Sequence, residues 1–177
     1  MIHPSHPSIS IIAPGLSKQA FVEAEVFGAA VWLWMQSEAH KDIPLHVLNQ
    51  LLLPAIGYRQ FMIGSVEGRP VFFLSWALFD EAAEHRYLHS HPSSLPVTDW
   101  NSGDRLWVID WIAPFGHTRQ MSRLLRDHWF KDRCARLLNH RGDERGMRIQ
   151  CVSGSALSRQ AVNDWLASHP LKQDHRP

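Results

Sequence analysis

Apolar residues recur at steps of three and four between Ser17 and Ser37: Phe21, Ala24, Gly28, Val31, Trp32 and Met35. That spacing predicts an amphipathic helix with Ser17 as its N-cap. A second, short helix is predicted over Leu45–Leu53, opened by proline at its first turn and stopped before Pro54. Arg59–Val66 and Pro70–Trp76 are apolar, partly β-branched runs on either side of Glu67-Gly68-Arg69, which signals a hairpin. Asp80–His89 reads as a short helix, and Pro92–Gly103 as a loop rich in Ser, Pro and Asn. A strand follows at Leu106–Ala113, closed by Pro114-Phe115-Gly116. His117–Leu138 is predicted to be one long helix, with Met121, Leu124, Leu125, His128, Ala135 and Leu138 near one stripe; Gly142 and Gly146 end that region. Met147–Val152 is a strand candidate, and Leu157, Ala161, Val162, Trp165 and Leu166 mark a last amphipathic helix stopped at His169-Pro170.

This order of elements predicts one α/β domain, a mixed central sheet flanked by helices, over residues 16–170. Met1–Gly15 is expected to be a poorly ordered, proline-containing arm, and residues 171–177 a tail. The layout, a hairpin leading through a helix to a central strand, matches that of the Gcn5-related acyltransferase fold. That is an analogy of architecture and by itself assigns no activity.

The stretch Asn101–Gly116, NSGDRLWVIDWIAPFG, places one carboxylate, Asp110, inside an apolar strand. Regular alternation puts Trp107, Ile109 and Trp111 on one face and Val108, Asp110 and Ile112 on the other. An ionised carboxylate among branched apolar side chains is costly unless something pairs with it. Asp110 is therefore either a buried structural anchor or part of a site.

Composition changes this picture little. With 45 % hydrophobic and 20 % charged residues the chain reads as globular. No apolar run reaches the roughly 18–20 residues that a membrane span needs. The N-terminus has no basic region ahead of an apolar core, so a cytoplasmic location is the expectation. Cys134 and Cys151 form no CxxC pair, and their number neither requires nor excludes a disulfide. Charge is more informative. The net charge of +1 conceals nine acidic against four basic residues over Ala20–Trp100, and nine basic against four acidic over His117–Arg148. The basic segment, with Arg119, Arg123, Arg126 and Arg148, is either a solvated surface or a dock for an acidic partner. It holds no recognisable nucleic-acid module, and nucleic acid is not an expected partner.

Candidate chemistry is sparse. His40 lies three residues after Ser37, a spacing that brings both side chains to one side of a helical turn. A histidine there suits a general base near neutral pH, or answers the dipole of the preceding helix. Ser37 alone reads as a residue satisfying backbone groups at a helix end. Arg105, beside Asp104, is either a surface ion pair or a contact residue. His85, His89 and His91 have a spacing that zinc could use, but no HExxH and no cysteine pair accompany them, so no metal is expected. There is no Walker loop, GxGxxG or GxSxG.

Three blocks carry a resemblance: Val31–Pro44 (VWLWMQSEAHKDIP), Pro70–Ala77 (PVFFLSWA) and Asp99–Gly116 (DWNSGDRLWVIDWIAPFG). In order and approximate spacing they resemble the RTX toxin-activating lysine-acyltransferases, the C proteins of RTX toxin operons. Ile43 stands where that family commonly has tryptophan, and Leu51 where it has asparagine. The resemblance implies a Gcn5-like fold, a homodimer and a place in the bacterial cytoplasm. It implies transfer of a fatty acyl group from acyl carrier protein to an internal lysine of an RTX protoxin, with no tightly bound cofactor. His40 takes the place of the family's essential histidine, either as general base or as a nucleophile that itself carries the acyl group, Asp110 that of its aspartate and Ser37 that of its nearby serine. Two other readings stand beside it: a non-catalytic adaptor that binds an RTX-like protein or acyl carrier protein, and a histidine-dependent metal protein.

Overall fold

The computed structural model describes residues 9–140 and 147–172. The first eight residues of the expected arm, the glycines at 142 and 146, and most of the expected tail lie outside the described residues. Among the described residues six strands form one sheet in sequence order: β1 (Ile9–Ile12), β2 (Phe61–Val66), β3 (Arg69–Phe79), β4 (Arg105–Ile112), β5 (Cys134–His140) and β6 (Met147–Ser153). Neighbours pair antiparallel except β4 and β5, which run parallel. Among the described residues there are six α-helices: α1 (Glu23–Trp34), α2 (Leu48–Leu51), α3 (Leu53–Gly57), α4 (Glu81–His89), α5 (Thr118–Leu124) and α6 (Arg159–Ser168).

The hairpin forms where the pattern places it. Glu67 and Gly68 both take positive φ, 51° and 78°, in the two-residue turn between β2 and β3. Two such residues make a turn whose twist matches that of the strands. Asp80 caps α4 by accepting from Ala83 N–H at 2.7 Å. Its replacement by alanine is expected to lower stability by about 1 kcal/mol in urea unfolding, the usual loss for an N-cap.

Four expectations are corrected. Ile9–Ile12, expected inside the arm, is an edge strand on β2. Pro54 does not stop a helix but sits in the first turn of α3, where its missing N–H costs nothing. The helix predicted to begin after Ser17 begins at Glu23. The long helix expected over His117–Leu138 ends early: α5 is followed by a π-helical turn at Leu125–Trp129, and Cys134–His140 is β5.

The sheet is covered on both faces. On one, α1, α2 and α3 bury Val26, Ala30, Leu33, Leu52 and Ile56 against Phe61, Phe73 and Ile112. Farther along this face, Ala83 and Trp100 pack on Ala77, Phe79 and Trp107. On the other face, Met121, Leu125 and Phe130 close over Phe72, Leu74, Trp76, Leu106 and Val108.

A bulge overturns the simple alternation in β4. Ser75 pairs with Asp110 but Trp76 pairs with Val108, so Ile109 is the extra residue. The phase of the strand changes there. Trp111 joins Val108 and Leu106 in the cluster under α5, while Asp110 shares the opposite face with Trp107 and Ile112.

Candidate active site

Two elements distant in the chain build the site. α1 ends at Trp34, and the chain turns so that His40 N–H and Lys41 N–H both donate to Ser37 C=O, at 3.0 and 2.9 Å. This turn presents the His40 ring beside buried Trp34, with centroids 5.0 Å apart. From the other side β4 supplies Asp110, which is 8 % exposed. His40 Nε2 lies 3.3 Å from Asp110 Oδ1, and His40 Nδ1 lies 2.8 Å from Ser37 Oγ. Residues 37, 40 and 110, expected at the site, are thus brought together across 70 positions. His40 keeps 17 % of its side chain open to solvent.

Ser75 continues the chain of hydrogen bonds. Its hydroxyl donates to Asp110 Oδ2 at 2.6 Å, and its Oγ accepts from Asp110 N–H at 3.2 Å. Sequence reasoning missed it because it lies in an apolar strand; a single hydroxyl inside the run PVFFLSWA was the available signal. Tyr87 of α4 lies nearby on the same face of the sheet. Burial first, and the Asp110 charge second, raise its phenol above the ordinary range. It packs against Phe79 and Trp107 at the same sheet face.

The arginines expected as contacts divide. Arg105 is buried and makes no surface pair with Asp104. Its Nη1 donates to Glu84 Oε2 at 2.6 Å and to Pro170 C=O at 2.9 Å. That guanidinium is committed to the core and is not offered to a ligand. Arg119, Arg123 and Arg126 are exposed, two on α5 and the third in the π-helical turn, where Arg126 also bonds Asp127. Arg148 is exposed on the edge strand β6.

Cys134 and Cys151 are free thiols, each pushed up mainly by burial. His85 and His89 stack on one another at 4.3 Å. Among the described residues, no group of three or more His, Cys, Asp or Glu side chains could hold a metal ion.

Against known proteins, residues 19–153 match the model of the RTX toxin acyltransferase family. The chain belongs to that family. Membership makes it an acyltransferase, and the matched span contains Ser37, His40, Ser75 and Asp110. The acyltransferase is 37 % identical over 139 residues to a leukotoxin-activating lysine-acyltransferase of Aggregatibacter actinomycetemcomitans, covering 78 % of this chain and 82 % of the relative. It is 36 % identical over 151 residues to the RTX-I toxin-activating lysine-acyltransferase of Actinobacillus pleuropneumoniae, covering 85 % and 84 %. A protein-lysine palmitoyltransferase of Bordetella bronchiseptica is 39 % identical over 141 residues, covering 78 % and 75 %.

Proposed function

We propose that the acyltransferase moves a fatty acyl group from acyl carrier protein to the ε-amine of an internal lysine in an RTX protoxin, with His40 as general base. The observation that carries this reading is the approach of His40 Nε2 to Asp110 Oδ1 at 3.3 Å, beside Ser37.

The chemistry follows from that geometry. A lysine ammonium, with an ordinary pKa of about 10.4, must lose a proton before it can attack a thioester. An ionised Asp110 only accepts hydrogen bonds, so the His40 nitrogen facing it, Nε2, carries hydrogen. The basic lone pair is then on Nδ1, where Ser37 donates in the resting state. A substrate amine that has already given its ammonium proton to water takes up that place, and Nδ1 receives one of its two remaining N–H protons as nitrogen bonds to the thioester carbonyl carbon. The carbon–sulfur bond breaks, the carrier's sulfur leaves, and the imidazolium returns the proton to it. Asp110 holds the ring and stabilises the imidazolium formed on the way. An intact Ser37–His40–Asp110 chain of hydrogen bonds favours catalysis over the adaptor reading.

The single parallel pair, β4 with β5, in an otherwise antiparallel described sheet supports the Gcn5-like reading of the fold. No described helix is long and apolar enough to cross a membrane. The proposal takes the bacterial cytoplasm and a homodimer from the family resemblance. The test of the reaction is mass spectrometry of an RTX protoxin incubated with this chain and a fatty acyl carrier protein. A fatty acyl mass on an internal lysine supports the reading, and an unmodified acceptor counts against it.

The exposed arginines fit an acidic carrier. Changing Arg119, Arg123 and Arg126 together to glutamate is expected to raise KM for the acyl carrier donor by about tenfold or more, since like charges then face each other. kcat at saturating donor is expected to change little. Steady-state kinetics at low ionic strength check this, and an unaltered KM removes these residues from carrier docking.

A further inference from the structure

We propose that Ser75 is a positioning residue for the Asp110 carboxylate. This deepens the proposed function and rests on it, because Ser75 acts through Asp110 and reaches no substrate atom.

The residue lies in the Pro70–Ala77 block, for which the reaction as described has no use. Its side chain is fully buried. A buried hydroxyl in a strand core needs partners, and Ser75 finds both on one residue. Its single hydrogen goes to Asp110 Oδ2 at 2.6 Å, a length typical of a hydrogen bond to an ionised oxygen. A lone pair on the same Oγ takes Asp110 N–H at 3.2 Å. The two bonds are compatible, since a hydroxyl offers one donor and two acceptor sites. Together they tie side chain and main chain of Asp110 to one atom of β3.

What this does to the carboxylate is specific. The last torsion of an aspartate is broad and poorly held by its own energetics. With Oδ2 fixed on Ser75, Oδ1 is the oxygen left to face His40 Nε2. Register makes the tie possible. Ser75 and Asp110 are directly opposed across β3 and β4, and the bulge beside them sets Asp110 on the same face as Trp107 and Ile112. Regular pairing would need no hydroxyl at 75; the bulged pair uses it to hold the acid in place.

A purely structural serine and a positioning serine predict different kinetics. Removing the tie should let Oδ1 drift from His40 without touching either substrate. Ser75→Ala is therefore expected to lower kcat by about ten- to a hundredfold, the loss of one hydrogen bond to a charged group. KM for acyl carrier donor and for RTX acceptor should stay within about twofold. Ser75→Cys is expected to fall between, because a thiol is a weak donor. Fit alone would rank the two variants the other way, since sulfur is larger than oxygen and alanine leaves more room.

The experiment is steady-state transfer by the full chain with Ser75→Ala, Ser75→Cys and Asp110→Asn, alongside thermal unfolding of each. Turnover ranked wild type, Cys, Ala, with KM held, supports the proposal. Wild-type turnover in Ser75→Ala beside a disabled Asp110→Asn overturns it and leaves the proposed function standing. A Cys variant worse than the Ala variant also overturns it. Full turnover in Asp110→Asn removes the proposed role of Asp110 and this inference with it. Should Ser75→Ala not fold, Ser75→Cys decides alone: reduced kcat at unchanged KM supports positioning, and wild-type kcat refutes it.

Discussion

His40→Ala is expected to reduce lysine acylation by about 10²–10⁴-fold, the span that a positioned general base contributes. The loss should fall on turnover. The acylated carrier and the protoxin are expected to bind as before, so KM for each stays close to its wild-type value. The fold should survive, because His40 sits in a turn beyond α1 and keeps part of its ring in solvent. What it gives up is packing on Trp34 and two side-chain hydrogen bonds. Far-ultraviolet circular dichroism and thermal unfolding of the variant, measured beside its transfer rate, separate lost chemistry from lost structure. A folded variant with wild-type turnover would remove His40 as the base.

The largest effect on stability is expected elsewhere, at Glu84. This carboxylate is 2 % exposed and serves three donors: Arg105, Arg136 and the Trp107 indole N–H at 2.8 Å. The two arginines also hold the chain after α6, Arg105 on Pro170 C=O and Arg136 on His169 C=O. One acid on α4 thus joins β4, β5 and the C-terminal segment. Glu84→Ala leaves two buried guanidinium groups without a counter-charge. Breaking a buried pair in this way costs about 3–5 kcal/mol. Against a total stability of about 5–15 kcal/mol for an ordinary domain, that is a large fraction. Urea unfolding followed by tryptophan fluorescence is the measurement. The midpoint should drop sharply, while transfer per folded molecule stays near wild type because no atom of Glu84 touches the His40–Asp110 pair. A change of less than about 1 kcal/mol would mean that water replaces the lost charge.

Local signals carried the elements that pair with near neighbours in the chain. The hairpin was legible because its turn needs two positive φ angles and offers Glu67-Gly68 between apolar runs. α4 was legible as Asp80–His89, and the structure shows Asp80 to be its cap. α6 was legible from its stripe and its stop at His169-Pro170; the structure adds its cap, Ser158, which accepts from Ala161 N–H. The two missed strands have a common cause. Cys134–His140 continues an apolar spacing that fits a helix for a few residues, yet Ala135 and Leu137 face one cluster while Leu138 and the Arg136 guanidinium face the other side. Short apolar runs carry both periods, and the parallel partner that decides between them is far away in the chain. β1 is four residues long, and only pairing with β2 makes it a strand.

The site was legible for a different reason. Periodicity alone left His40 as either a general base or a helix-end histidine, and Asp110 as either an anchor or part of a site. The three shared blocks supplied the pairing, and the geometry now places the two side chains within reach of each other. Ser75 stayed hidden because its use depends on a bulge at Ile109, a change of register that no single-strand pattern shows. Arg105 was misjudged because its partner, Glu84, arrives from α4 and not from the adjacent Asp104.

In the proposed reaction His40 and Asp110 act as one unit on the amine. The most direct measurement is a double-mutant cycle in transfer rate, with His40→Ala, Asp110→Asn and the double variant, read as acylated protoxin by mass spectrometry over long incubations. The double variant is expected to be no slower than His40→Ala alone, because an acid that works through the imidazole has nothing left to support. Losses that multiply, the double variant falling by the product of the two single effects, would contradict it.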